Sequence, residues 1–505
     1  MKAFSLSDFS PNKWQPIWFV LAAIGVGVLL TQLPLLWGLG LVVGTAVILL
    51  IIIQPLFGLA LALLAAPFGA LENVVLGPSL FDSGQLILFF TIGVWIARGL
   101  TRRKIYLPQT FLNVPLAVFL FVTAVSLIGA PSIILGVKEL IKWIEITLIM
   151  LIVVDESYRF KESIAHHASR ITSSRLYVYT ILTMLLIAGT TQASIGIWQF
   201  GLRGDGPEHF IVLGQFYRAY GTFEQPNPFA GYMNLTALLA IGVVLGLFAL
   251  LWRRWQQHSQ LHWQTIGAFL LVGLCALLAT LAVIFSWSRG AWLSLGAGTA
   301  VIVLFWPKKS WQGVLLVSLG GVLFFGGVQA GVVPSSITER ITSFSQDLRF
   351  GDVRGEDIND ANYAVLERLA HWQAALDMAR DNIWLGVGFG NYEPAYAEYA
   401  LLNWPYPLGH AHNYYLNTLA EIGIVGLVAY LFLWTALFFQ TIRLLQKLDW
   451  PLRGIALGLL AVWVSLTVHH LVDKLYVNNI YIHLGVMLGL LQLLESKSLD
   501  VEIGD

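Results

Sequence analysis

Three short polar segments in an otherwise apolar chain carry residue types able to do chemistry. The first is RAYGTFEQPNPFA, residues 218–230. Pro226 and Pro228 stop a helix from running through it, and Asn227 is a capping residue type. A helix is therefore predicted to open here, with free N–H groups and a positive dipole end beside Arg218. That arrangement suits an anion; the alternative is an interfacial arginine snorkelling beside a capped helix. The second is FSWSRGAW, residues 285–292, where Arg289 sits in a tight turn between two apolar runs, with Ser286 and Ser288 as hydroxyl donors. An arginine there is costly unless it lines a polar cavity or meets an anion, the alternative being a place in the headgroup layer. The third is GHAHNYYLNTLAE, residues 409–421, which places His412 and Asn413 at the entry to a further apolar run. A histidine there can take a proton near neutral pH. His410 with His412 also reads as an H-x-H metal pair, but two ligands without a third are weak evidence. A structural histidine is the other alternative.

Lesser candidates accompany these. Lys138 and Lys142 stand at i,i+4, interleaved with Glu139 and Glu145, and internal ion pairing accounts for them most simply. His469, His470, Asp473 and Lys474 close a late apolar run at the same predicted face as the arginines. The glycine pattern GVGFG at 386–390 is no dinucleotide fingerprint, because no strand–turn–helix context surrounds it, and it is predicted to be a turn.

These residues need elements to position them, and the composition says which. The 505 residues are 57% hydrophobic and only 11% charged, with 29 basic and 29 acidic side chains, and the mean hydropathy is +0.73. So few charges cannot coat several soluble domains, which excludes a soluble enzyme, a disordered hub and a nucleic-acid binder. Apolar runs recur at about one bilayer thickness, and backbone in lipid must satisfy itself as helix. Spans are predicted near 16–34, 36–53, 55–71, 85–98, 113–131, 136–154, 176–200, 228–251, 265–286, 290–306, 311–330, 421–441, 454–472 and 480–494. The 55–71 and 85–98 runs are short or interrupted, so the expectation is an all-α polytopic membrane protein with 12 to 14 transmembrane helices. Lys2 and Lys13 precede the first run without a small-x-small cleavage site, which reads as an uncleaved span. The lone Cys275 lies in an apolar run and is expected to be a small buried residue without redox or zinc chemistry.

Basic residues sort the loops. Arg102-Arg103-Lys104, the group Arg159, Lys161, Arg170 and Arg175, then Arg253-Arg254, Lys308-Lys309, and Arg443, Lys447 and Arg453 all fall on one side, predicted cytoplasmic together with both termini. On the other side lies Gly331 to Ala420, with eleven acids and five bases. Its aromatic content argues for a folded cap, within which Asn362 to Asp381 reads as an amphipathic helix burying Leu366, Leu369, Trp372, Leu376 and Ala379. The expected organisation is N-terminal transmembrane helices over 1–200, central helices with the arginine motifs over 201–330, the external loop domain over 331–420 and C-terminal helices over 421–505.

Two arginines and a histidine converging on one membrane face suggest a reaction on a lipid-linked phosphate or pyrophosphate with an alcohol as acceptor. Guanidinium forks bind phosphate bidentately, and an imidazole can deprotonate a hydroxyl. Arginines could then stand in for a metal in stabilising the departing group. The segments RAYGTFEQPNPFAGY, FSWSRGAW, ERLAHWQAALDMARDNIWLGVGFGNY and HAHNYYLNTLAEIGIVGL, in this order over roughly residues 210 to 430, resemble the O-antigen ligase and polymerase superfamily, which also includes bacterial protein O-oligosaccharyltransferases. The resemblance implies a GT-C-type membrane glycosyltransferase moving a glycan from undecaprenyl pyrophosphate to an acceptor hydroxyl of a lipid, a glycan or a protein. The reaction would lie on the outer face of the bacterial inner membrane, inverting, with no cofactor, no metal and no nucleic-acid partner. By motif, Arg218 and Arg289 would hold the pyrophosphate and His412 would be the base. Arg368, His410, Asn413, Asn227, Lys138, His470 and Asp473 would support them. A polymerase or a protein glycosyltransferase shares this donor chemistry. From another class, an anion transporter of bicarbonate type also fits the arginines, and a structural membrane protein is a third reading.

Overall fold

The computed structural model describes residues 20–502 except 22–23, 26, 29–30, 78–80, 103–106, 165–169, 308, 337, 341–351 and 360–361. Lys2, Lys13, Arg103, Lys104, Lys308 and nine residues of the first predicted span lie outside the described residues.

The apolar runs fold into helices: α1 (Leu35–Ile53), α2 (Pro55–Ala65), α3 (Gly69–Leu76), α4 (Ser83–Thr101), α5 (Asn113–Val125), α6 (Ile133–Ile164), α7 (Arg170–Gly201), α8 (Pro226–Gln256), α9 (Trp263–Phe285), α10 (Arg289–Phe305), α11 (Ser310–Gln329), α12 (Tyr363–Asp381), α13 (Tyr392–Tyr399), α14 (Tyr414–Lys447), α15 (Leu452–His469) and α16 (Ile480–Glu502). Among the described residues, eight helical stretches are long and apolar enough to cross a membrane, and four shorter apolar helices accompany them. The protein is thus an all-α multi-pass membrane protein. The 55–71 run is two helices joined through the 3-10 turn Ala66–Phe68, since Pro67 has no N–H to continue an α-helical ladder. The 136–154 run lies in α6, whose Lys138, Glu139, Lys142 and Glu145 keep it out of the set of eight. The only sheet among the described residues is the antiparallel pair Ile211–Val212 with Phe216–Tyr217, in the loop that leads to Arg218.

α8 packs against α9 and α15, and α15 against α10, while α6 packs on α16 and α14 on α5. The interior of this body is apolar, with Leu238, Leu239, Ala456, Leu457, Leu460 and Trp463 at 0–1% exposure. α11 is its opposite: Val322, Leu323 and Phe325 are exposed along an uncharged helix, the signature of a lipid-facing surface. One end of the bundle gathers the basic loops, with Arg159 paired to Asp155 at 2.7 Å, Arg443 paired to Glu495, and Arg453 donating to Phe305 O at 3.1 Å. The other end carries the three polar segments.

The described residues between Gly331 and Ala420 include two apolar clusters. Ala374, Ala375, Met378, Tyr392, Tyr396 and Ala411 form one, and Val365, Leu366, Leu369, Leu401 and Trp404 the other. The buried stripe of α12 runs through Leu366, Leu369, Ala370, Ala374 and Met378. Leu376, expected inside, is 37% exposed, and with Trp372 it edges a surface groove instead. The GVGFG segment is the expected turn, stitched to α14 by Val387 N–H to Ala420 O at 2.9 Å and Gly388 N–H to Glu421 O at 2.8 Å. α14 breaks at Gly423, whose φ of 64° and ψ of −167° are not helical. A Cβ there would meet the Trp384 carbonyl carbon at 2.4 Å, so the cap backbone passes where any side chain would stand.

Candidate functional site

The first half of the site is built on the end of α9. The last carbonyls of a helix lack intrahelical partners, and here other segments supply them. Ala219 N–H donates to Phe285 O at 2.9 Å. Arg218 Nε donates to Ser286 O at 2.8 Å, and Arg340 donates to Trp287 O at 3.2 Å. Trp287 has a φ of 55°, a left-handed conformation uncommon for a bulky residue, and α10 opens two residues later at Arg289. The serines of this turn are buried: Ser286 Oγ donates to Val283 O at 2.6 Å and accepts from Ser288 N at 3.2 Å. The Ser286 hydroxyl and the Ser288 N–H thus shape the turn. Gln199 holds the Arg218 loop from α7, its Oε1 accepting from Gly221 N at 2.7 Å.

Four arginines meet here. Burial, followed by the like charges of Arg340, Arg289 and Arg368, pushes the Arg218 guanidinium down to about 9. Burial, with Arg289 and Arg368, takes Arg340 down to about 10. Arg368 reaches the group from α12, where its Nη1 donates to Ala364 O at 2.8 Å and its Nε is buried without a hydrogen-bond partner. Asn227 is not the cap of α8. Pro226 takes the first helical position and Gln225 the cap, because proline's fixed φ starts a helix without wasting a donor. Asn227 Oδ1 instead accepts from Arg218 at 3.4 Å.

The second half is a histidine corner. Asn413 caps α14, accepting from Tyr415 N at 3.0 Å and Leu416 N at 3.1 Å, and the residue before it, His412, has a φ of 51°. Asp473, in the turn after α15, lies with Oδ1 at 3.7 Å from both His410 Nε2 and His412 Nδ1. The same oxygen accepts from Lys474 N at 2.9 Å. Burial favours the protonated Asp473 carboxyl, but His412, His410 and His469 beside it more than offset that and hold it well below the usual carboxylate range. His410 is pushed the other way, to about 3, by burial and then by His412. Beneath the corner, Lys474 Nζ pairs with Glu139 Oε2 at 3.4 Å, and Glu139 also takes Lys142. Lys138 is exposed and outside this network. His470 is buried in the wall, its carbonyl accepting from Tyr414 N at 2.8 Å.

The two halves adjoin. A Cβ on Gly290 would come within 2.7 Å of Val472 and 3.9 Å of His469 Nε2, so the start of α10 lies against the turn that carries Asp473. Ser294, one turn further along α10, lies 3.4 Å from His469 Nδ1. α12 spans both halves from outside: Arg368 faces the arginines, and three residues on, the buried His371 places its ring 5.8 Å from that of His412. His371 is fixed by Tyr392 OH at 2.9 Å, and burial followed by His412 pushes it down to about 4, leaving it neutral at pH 7.

Sequence reasoning missed Arg340 and His371. His371 stood in the ERLAHW segment, one turn from Arg368, where helical spacing pointed to it. Arg340 had no local signal. The fold also supplies what the H-x-H pair lacked: His410, His412 and Asp473 each offer a ligand atom, all within 4.8 Å of one another. Two imidazoles and a carboxylate are a donor set that suits a divalent ion with an open position, so the objection that no third ligand exists does not stand.

A multi-pass helical membrane body with a cap, an arginine turn and a histidine corner at one end is the class that fold and site define. Residues 274–431 match the family described as O-antigen ligase, which supports the O-antigen ligase superfamily for this chain. The match contains Arg289, Arg340, Arg368, His371, His410 and His412, whereas Arg218, Asp473 and Lys474 lie outside it. No curated protein matches the chain by sequence.

Proposed function

We propose that this protein is a GT-C-type glycosyltransferase that moves a glycan from undecaprenyl pyrophosphate to an acceptor hydroxyl at the outer face of the bacterial inner membrane. The observation that supports the proposal most is the close approach of Gly290, next to Arg289, to Val472, next to Asp473, which favours reading the arginines and the His412 imidazole as one site. In the proposed step the acceptor oxygen attacks the anomeric carbon from the face opposite the pyrophosphate. The carbon–oxygen bond to phosphate breaks, its electron pair leaves with undecaprenyl pyrophosphate, and the configuration inverts. His412 takes the hydroxyl proton. Its Nδ1 is turned to Asp473, which leaves Nε2 as the accepting nitrogen, and the carboxylate stabilises the imidazolium that forms. Arg218 and Arg289 hold the pyrophosphate and offset its charge as it departs. Basic loops at the opposite end of the bundle support the orientation, with both termini cytoplasmic.

Transfer assayed with purified protein and a lipid-pyrophosphate glycan donor tests the reading; full activity in both Arg289→Lys and His412→Ala would sink it. The cluster of His410, His412 and Asp473 favours one variation, a divalent ion seated at the corner. Loss of transfer on chelation with recovery on metal addition would replace His412 as the base by that variation. Uptake of labelled bicarbonate without glycan transfer would favour the anion transporter. The acceptor is read from a deletion strain: lost attached polymer with retained lipid-linked polymer means a ligase, and single-repeat products mean a polymerase.

A further inference from the structure

Resting on the lipid-pyrophosphate reading above, we propose that the groove along α12 is a saccharide subsite. It holds the donor's glycan beyond the sugar whose anomeric carbon reacts.

Leu369, Trp372, Gln373, Leu376, Asp377 and Arg380 share one face of α12, three or four residues apart along it. With Asp352 and Arg354 of the preceding loop they line a groove of about 390 Å³, a size that suits a small-molecule segment. The lining has an apolar part and a polar part. Leu369, Leu376 and the indole of Trp372 form the apolar strip. Beside it the charges are paired: Asp352 lies 3.8 Å from Arg354, and Asp377 accepts from Arg380 at 2.8 Å. Gln373 Nε2 donates to Asp352 Oδ1 at 3.2 Å. One such contact leaves a carboxylate with further acceptor sites and a guanidinium with further N–H donors.

A sugar ring matches both parts. Its C–H face lies on the indole, while its hydroxyls, which donate and accept, bridge carboxylate and guanidinium. Other ligands match one part only. Two acids and two bases offer a phosphate no net attraction. An extended peptide seeks unpaired backbone groups, which the side of a helix does not present.

The place of the groove assigns it to the donor. His371 puts its ring 5.8 Å from that of His412, and Trp372 follows it, about 100° round the same helix. A glycan leading away from the reacting centre therefore meets the groove within one helix diameter, about 10 Å. The acceptor differs between a ligase, a polymerase and a protein glycosyltransferase, whereas the donor presents a saccharide in each of them.

The test is direct binding to the full-length protein in detergent. The probes are the host's own lipid-pyrophosphate-linked oligosaccharide, bare undecaprenyl pyrophosphate, and the oligosaccharide released from its lipid by mild acid. Trp372→Leu keeps an apolar side chain against the neighbouring core and removes the flat face. It is expected to weaken binding of the lipid-linked oligosaccharide about tenfold and to leave bare undecaprenyl pyrophosphate within about twofold of the wild type. Tyr406→Ala, which removes an exposed aromatic ring elsewhere on the external loop, serves as the control and leaves both affinities unchanged. If Trp372→Leu does not fold, Asp377→Ala, which takes a hydroxyl acceptor from the rim, carries the same test with a loss of about fivefold. Equal losses for the bare and the glycan-bearing lipid, or an undiminished affinity for the latter, overturn the assignment. Failure of the wild type to bind either lipid overturns the donor reading, and the donor assignment with it. Binding of the released oligosaccharide alone, abolished in Trp372→Leu, would in that case mark the groove as a saccharide site of another kind.

Discussion

The arginine turn and the histidine corner lie against one another and treat charge in opposite ways. At the corner the chain brings its own partners: Glu139 has the counter-ions Lys474 and Lys142, and Asp473 lies 3.7 Å from two imidazoles. At the turn, among the described residues, the charged side chains acting on Arg218 are three more arginines. A region that satisfies its own charges is set in geometry before any ligand arrives. A region that accumulates one sign is held at a cost, which an anionic ligand relieves. In a protein with 11% charged residues, that concentration marks where binding energy is to be gained, while the corner marks where an orientation must be kept.

The contrast can be broken in order of expected effect. His412→Ala should lower turnover by about 10²–10⁴-fold with donor affinity nearly unchanged, read by transfer and binding assays side by side. A matching loss of affinity would merge the two regions into one function. Arg289→Lys should lower transfer by about 10²-fold, and the loss should appear in donor binding. A loss confined to turnover would put Arg289 on the corner's side of the division. Asp473→Asn keeps the shape and removes the charge, so about 10-fold in turnover is expected, with binding intact. Stability should move with opposite signs. Glu139→Gln leaves the buried Lys474 ammonium short of its carboxylate and should destabilise the protein by roughly 3 kcal/mol, seen as a lower unfolding midpoint. Arg218→Gln should raise the midpoint of the donor-free protein slightly, because it relieves like-charge repulsion, and should reduce the stabilisation gained on adding undecaprenyl pyrophosphate. A lower midpoint for both variants would show that the turn is as self-sufficient as the corner.

Much of this body was legible in the sequence. Apolar runs with prolines at their starts gave α8 its beginning at Pro226 to within two residues, and the basic loops sorted themselves to one end. Local turns were legible too, GVGFG and FSWSRGAW among them, because glycine and short spacing act within a few residues. The pairing of Asp473 with His412 was not, since it depends on α15 returning beside the start of α14, a contact that no local pattern encodes. Arg340 is harder still: it lies in a polar loop among acids, and only the course of the chain over the end of α9 brings it to Trp287. The stripe of α12 was displaced for a related reason. Small residues such as Ala370 and Ala374 are fully buried in it, and a search for large apolar side chains passes over them.

The break in α14 has a mechanical consequence. Where the helix opens at Gly423, cap backbone takes over its hydrogen bonds, with Ile424 N–H donating to Ile383 O at 2.8 Å and Val387 N–H to Ala420 O at 2.9 Å. The cap is therefore sewn into a transmembrane helix like a stitch through cloth. Pulling it away means unravelling that helix, so any motion that admits a bulky acceptor has to be borne by other segments, with this seam as its fixed point.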